Sequence, residues 1–171
     1  MPKIILGINP GGSYLGYALF HDSELRDWGI KAVNEKWTNE KKKKIERVFR
    51  SFIDQYNPDY LVIKKLHPAR CSLELDEQIS RLKEHCRERK IPVYEYPITY
   101  LEKTILTEKR NKKNLVESIF EQYPVLFSEF EKQRLVFLEN EKKHFNKVGY
   151  HLAMFEAVAL GHVCFNQIDN Q

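Results

Sequence analysis

The sequence has no long apolar run. Nothing in it approaches the roughly 18 consecutive apolar residues that a bilayer-crossing helix needs, which excludes a helical membrane span. The opening MPKIILGI is too short in apolar residues for a secretory signal and flows into a strand pattern, so a cytoplasmic protein is expected. Cysteine is scarce: Cys71, Cys86 and Cys164 are widely spaced and form no CxxC. That suggests neither a disulfide framework nor a zinc site and points to three free thiols, buried or half-buried. The phosphate-cradling signatures GxxxxGK(S/T) and GxGxxG are missing, so Asn9-Pro10-Gly11-Gly12 reads as a tight hairpin turn rather than an anion loop. There is no internal repeat and no low-complexity segment beyond Lys41 to Lys44. A strong excess of one charge is missing too. Lys+Arg outnumber Asp+Glu by 28 to 24, a net +4, and a pI near 8.8 favours polyanions only mildly.

What is present describes one soluble globular domain over residues 1–171. The chain is 42% apolar and 30% charged, with a mean hydropathy of −0.55, and its length suits a single core. Lys3 to Ile8 reads as a strand, Tyr14 to Phe20 as a second after the turn, and residues near Glu24 to Val33 as a third. Ile45, Val48, Phe49, Phe52, Ile53 and Tyr56 form the stripe of a helix stopped by Asn57-Pro58-Asp59. Tyr60 to Ile63 is a short apolar strand of the doubly buried kind. Leu75, Ile79, Leu82 and Cys86 mark a second helix, Ile91 to Tyr96 another strand, and Ile98 to Leu106 and Leu115 to Tyr123 further helices. Between Pro124 and Val148 the chain turns charged and reads as an added helix and a mobile connection. His151 to Phe165 is apolar almost all round, a helix buried in the fold, with Glu156 its only acid. Three meandering strands followed by alternating helices and strands predict an α/β sheet with an antiparallel half and a parallel half.

Two cationic clusters stand out: Lys41 to Lys44, and Lys109, Arg110, Lys112 and Lys113 around Asn111. Composition alone makes both solvated faces beside helix starts. His67, His85, His144 and His162 lie singly and read as surface or packed histidines. Tyr94 and Tyr96 alternate with Val93 and Glu95 along a strand, which favours core packing over base stacking.

Ile4-Ile5-Leu6-Gly7-Ile8-Asn9-Pro10-Gly11, followed by Gly16-Tyr17-Ala18-Leu19, resembles the opening of the RuvC-type Holliday-junction resolvases of the ribonuclease H-like superfamily, whose first strands read ILGIDPG and TGYGVI. Tyr60 to Leu66 resembles the family's fourth strand, and Pro92-Val93-Tyr94-Glu95-Tyr96 its PVFEY strand. Lys112-Lys113-Asn114-Leu115-Val116 sits where the family has a basic DNA-facing loop entering a helix. Glu156-Ala157-Val158-Ala159-Leu160 resembles the DALALA start of its last helix. The resemblance covers most of the chain and leaves a charged helical extension at about 124–147. It implies a ribonuclease H-like fold: a five-stranded mixed sheet, three strands antiparallel and then two parallel, flanked by helices on both faces. It also implies a homodimer acting on branched or double-stranded DNA, with the basic segment Lys109, Arg110, Lys112 and Lys113 as a DNA contact.

The family hydrolyses DNA with two Mg²⁺ ions held by carboxylates, and there this sequence departs from it. Asn9 stands at the first catalytic Asp, Lys64 at the catalytic Glu and Ala153 at one acid of the last helix, while Glu156 retains the other. His151 lies five residues before Glu156, which turns it toward a different helix face. A lysine beside a divalent ion would oppose it by roughly 8 kcal/mol at 4 Å and an effective dielectric of 20. The expectation is a catalytically degenerate nucleic-acid-binding protein with no cofactor, in which Lys64 replaces the lost metal by donating to Glu156 and to the Asn9 carbonyl oxygen. In the bland alternative Lys65 points inward and Lys64 faces solvent. Two other functions remain open. One is an active junction endonuclease holding Mg²⁺ or Mn²⁺ by a shifted set that includes Glu156 and His151. The other is a scaffold protein without nucleic acid.

Overall fold

The computed structural model describes residues 1–144 and 149–171. Three antiparallel strands open the chain: β1 (Ile4–Asn9), β2 (Tyr14–His21) and β3 (Glu24–Ala32). Helix α1 (Asn39–Tyr56) leads into β4 (Tyr60–Lys64), α2 (Leu73–Glu88) into β5 (Val93–Tyr96), and α3 (Ile98–Ile105), α4 (Lys112–Gln122), α5 (Phe127–Lys143) and α6 (Leu152–Asp169) follow. The sheet order is β3-β2-β1-β4-β5. β1 pairs antiparallel with β2 and parallel with β4, and β4 pairs parallel with β5, which is the mixed five-stranded arrangement expected.

The period-two alternation of strands divides the core into two layers. Ile5 of β1, Ala18 and Phe20 of β2, Val62 of β4 and Tyr96 of β5 face α3, α4 and α6. Leu6, Ile8, Leu15, Leu61 and Ile63 face α1 and α2. Gly7 and Asn9 therefore share the α6 side with Ile5, and Lys64 shares it with Val62. Small residues on that side let α6 lie directly on the sheet. A Cβ at Gly16 would stand 2.1 Å from the Ala153 carbonyl oxygen, and one at Gly7 2.6 Å from that of Ala157. The apolar circumference read for 151–165 matches a helix covered by the sheet on one side and by α3 and α4 on the other.

Helix α1 begins earlier than its apolar stripe. Thr38 caps it, its hydroxyl accepting from the Lys41 amide, and Asn57 closes it at φ 43. Lys41 corrects the expectation of a solvated cationic face. It is 2% exposed, donates to the carbonyls of Gly12 and Glu35 at 2.7 and 2.8 Å, and lies over the Trp37 ring at 4.2 Å. The lysine stem fills apolar space and its head satisfies two loop carbonyls, so it ties the β1–β2 turn to α1. Burial lowers its pKa. Helix α5 answers to the charged helix read after Pro124. Phe130 stacks on Phe120 of α4 at 4.1 Å, and Trp28 Nε1 of β3 donates to Glu129. The connection read beyond it falls largely on residues 145–148, outside the described residues.

Candidate functional site

The parallel register of β1 and β4, Ile8 beside Ile63, sets Asn9 and Lys64 side by side at the ends of two adjacent strands. Helix α6 crosses both. Lys64 Nζ lies 2.6 Å from Glu156 Oε2, and Asn9 Nδ2 donates to the same oxygen at 2.8 Å and to the Ala153 carbonyl at 3.2 Å. The Glu156 side chain is 4% exposed and that of Lys64 19%, while Lys65 is exposed. Lys64, not Lys65, is the inward residue. The expected bond from Lys64 to the Asn9 carbonyl oxygen does not form: both side chains donate to Glu156 instead. A carboxylate only accepts, so Asn9 turns its NH₂ group to Glu156 and to the backbone carbonyl beside it. Two donors thus converge on one buried carboxylate oxygen.

Ala153 supplies a carbonyl and a methyl where an acid was expected to be lost. His151 does not join the group. It precedes α6, sets its ring edge-on to Tyr150 at 5.1 Å, and has its pKa lowered by burial and then by Lys132, against an opposing effect of Glu129. The shifted ligand set of Glu156 with His151 is therefore not assembled here.

Around this triad opens a cleft of about 530 Å³, lined by Asn9, Gly11, Tyr14, Lys64, Arg70, Lys112, Tyr150, Ala153 and Glu156 among others. Among the described residues its charged side chains are three cations, Lys64, Arg70 and Lys112, against Glu156, and Lys64 already neutralises that acid. The basic segment is only partly drawn in. Asn111 caps α4 by accepting from the Asn114 amide at 2.7 Å, and the Asn114 side chain donates to the Lys109 carbonyl at 2.7 Å. This local loop delivers Lys112 to the cleft. Lys113 faces Glu141 at 3.7 Å, and Lys109 and Arg110 are exposed before the helix.

Sequence reasoning missed Arg70, Tyr14 and Tyr150. Arg70 ends a 3₁₀ turn (Pro68–Arg70) whose start His67 caps, Nδ1 accepting from the Ala69 amide at 3.1 Å. His67-Pro68 is a turn signal in the sequence, but it does not say where the following arginine goes. The other lone histidines are structural. His162 bonds Tyr123 at 2.7 Å, and burial lowers its pKa. His85 lies 3.8 Å from Asp54, and His144 closes α5 at φ 54.

The donor set does not fit a pair of divalent cations. Mg²⁺ asks for several anionic oxygens in a near-octahedral shell, whereas this cleft holds one carboxylate with an ammonium at hydrogen-bond distance. Among the described residues no group of three or more His, Cys, Asp or Glu side chains is placed to hold a metal.

No family model and no curated protein matches the sequence. Solved structures do. The RuvC of Thermus thermophilus superposes with a TM-score of 0.70 at 13% identity over 98% of this chain and 97% of that one. The same protein in complex with a Holliday junction substrate gives 0.69 at 13%, over 98% and 96%. The fowlpox virus Holliday junction resolvase gives 0.57 at 16%, over 96% and 99%, and the yeast mitochondrial resolvase Ydc2 0.59 at 13%, over 99% and 81%. With its sheet order, its crossing last helix and this coverage, the chain has the ribonuclease H-like fold of the RuvC-type Holliday junction resolvases.

Proposed function

We propose that this protein binds branched or double-stranded DNA in the cleft between β1, β4 and α6 and does not cleave it by a two-metal route. The observation that carries this reading is the Lys64–Glu156 ion pair with its Asn9 bond. On the resemblance given above, Asn9, Lys64, Ala153 and Glu156 occupy the four catalytic positions. A cation then sits where cations would have been bound, and the single remaining acid is consumed by it. Hydrolysis needs stabilised negative charge on the attacking and leaving oxygens, and nothing in this set supplies the ions for that. Binding needs only cations facing phosphate, which Arg70 and Lys112 offer in the cleft, with Lys109, Arg110 and Lys113 beside it. A homodimer goes with this reading, because a four-way junction has two-fold symmetry and α5 leaves Leu135 and Leu138 exposed for a second copy to cover. A cytoplasmic site of action completes it.

The test is a synthetic four-way junction incubated with the protein with and without Mg²⁺ or Mn²⁺. A gel shift at low salt without cutting is the expected result. Metal-dependent cutting abolished by Glu156→Ala would establish the nuclease instead. A shift that survives neutralisation of Lys109, Arg110, Lys112 and Lys113 together would take the DNA away from the basic segment, and no shift at all would favour a scaffold.

A further inference from the structure

The cleft has an aromatic side that neither an ion-pair triad nor a phosphate contact uses. Tyr14, at the start of β2, and Tyr150, just before α6, meet edge to face with ring centroids 5.0 Å apart. Both line the cleft that holds Lys64, Arg70 and Lys112. They are 38% and 43% exposed, while the chain turns inward just after each of them, at Leu15 and at Leu152, both almost wholly covered. Each ring is held from its own side, since Tyr14 follows the turn that Lys41 fastens and Tyr150 meets the His151 ring edge-on at 5.1 Å. Both are thus held by neighbouring groups and still exposed over more than a third of their surface.

Partly exposed aromatic rings beside the cations Lys64, Arg70 and Lys112 bring together the two chemistries a nucleotide needs, an aromatic surface for its base and positive charge for its phosphate. The cleft's 530 Å³ has room for a single nucleotide inside it, with the paired part of the DNA lying over its mouth. A base within a continuous helix has both faces covered by its neighbours, so only an unstacked base can offer one to a side chain. We propose that Tyr14 and Tyr150 form a stacking platform for one unpaired DNA base, making the preferred ligand DNA with an unstacked nucleotide at a branch, bulge or mismatch. Arg70 and Lys112 take the flanking phosphates.

This inference rests on the DNA-binding reading and adds the structural class of the DNA, so the experiment separates the two. Fluorescence anisotropy compares a paired duplex with the same duplex carrying a single-base bulge, for the parent, Tyr14→Leu, Tyr150→Leu and the double variant. Stacking on an aromatic ring corresponds to roughly a tenfold or greater gain in affinity. The parent is expected to prefer the bulge by about that factor, and the leucine variants to lose the preference. Tyr14→Phe and Tyr150→Phe, which keep the ring, should retain it. In the parent alone, 5-iodouracil at the bulge should photo-crosslink to Tyr14 or Tyr150, which reads the contact even if a variant folds poorly. Equal affinity of the parent for both DNAs, or a crosslink elsewhere only, overturns the platform and leaves DNA binding intact. Failure to bind either DNA overturns both.

Discussion

Glu156 depends on Lys64 more than Lys64 depends on it. Its carboxylate is almost wholly out of water and takes both of its short bonds on one oxygen, so removing the ammonium strands a buried charge with only the Asn9 amide to stabilise it. Lys64→Met is expected to destabilise the fold by about 3 kcal/mol, the low end for breaking a buried pair because the lysine side chain keeps some contact with water. Adding Glu156→Leu removes the stranded charge, and most of that loss should return, since an apolar pair of similar volume is often as stable as the ions it replaces. Urea unfolding of the two single variants and the double closes the cycle. A double variant as unstable as Lys64→Met would mean that the stranded Glu156 charge is not what destabilises the single variant. The inward turn of Lys64 was only half legible in the sequence. Leu61, Val62 and Ile63 are buried on both faces of β4, so hydrophobicity alone assigns no face to the lysines that follow. The period-two step from Val62 does so once the α6 side is known. The polarity of the Asn9 amide was not legible at all, because it is set by a carboxylate 147 residues away.

Helix α6 sits where it does because the sheet beneath it is carved from small residues. Gly16 is the tightest point: its absent Cβ would fall 2.1 Å from the backbone oxygen of Ala153, and a backbone atom in a buried helix has little room to yield. Gly16→Ala should therefore destabilise by about 3 kcal/mol, as overpacking against a rigid partner does, and displace the first two turns of α6, which carry the Ala153 and Glu156 contacts to Asn9. Thermal unfolding and loss of the junction gel shift would follow together. An unchanged melting temperature would show that α6 slides to accept the methyl. Gly161 is a gentler case, as its obstacle is the Phe20 ring at 2.2 Å, a side chain with some freedom to turn. The elements themselves were readable from periodicity, including α6 with its apolar circumference and α2 with its four-three-four spacing. What periodicity hid was the first turn and a half of α1. There the core-facing residue is Lys41, so a pattern that counts apolar side chains begins only at Ile45.

Across the whole molecule the charges are distributed unevenly in a way the net +4 conceals. On the α1–α2 layer cations are largely matched: Lys42 with Glu77, Lys44 with Glu35, Lys83 with Glu95 and Arg89 with Asp54. On the cleft side Arg70, Lys109, Arg110 and Lys112 have no ion pair among the described residues. Unmatched cations are the ones that can displace counterions from a phosphate backbone, because a paired lysine must first give up its acid. The salt dependence of DNA affinity therefore reports which face meets the ligand. Each phosphate contact contributes about 0.9 to the slope of log affinity against log salt on duplex DNA. Lys112→Gln is expected to flatten that slope by close to one such contribution and to weaken binding at low salt more than at high salt. Lys42→Gln, on the matched face, should leave the slope unchanged. Anisotropy titrations of the bulged duplex at a series of salt concentrations give both slopes. Equal flattening by the two substitutions would mean that the ligand sees only total charge, and a steeper effect from Lys42→Gln would move the DNA to the opposite face of the sheet.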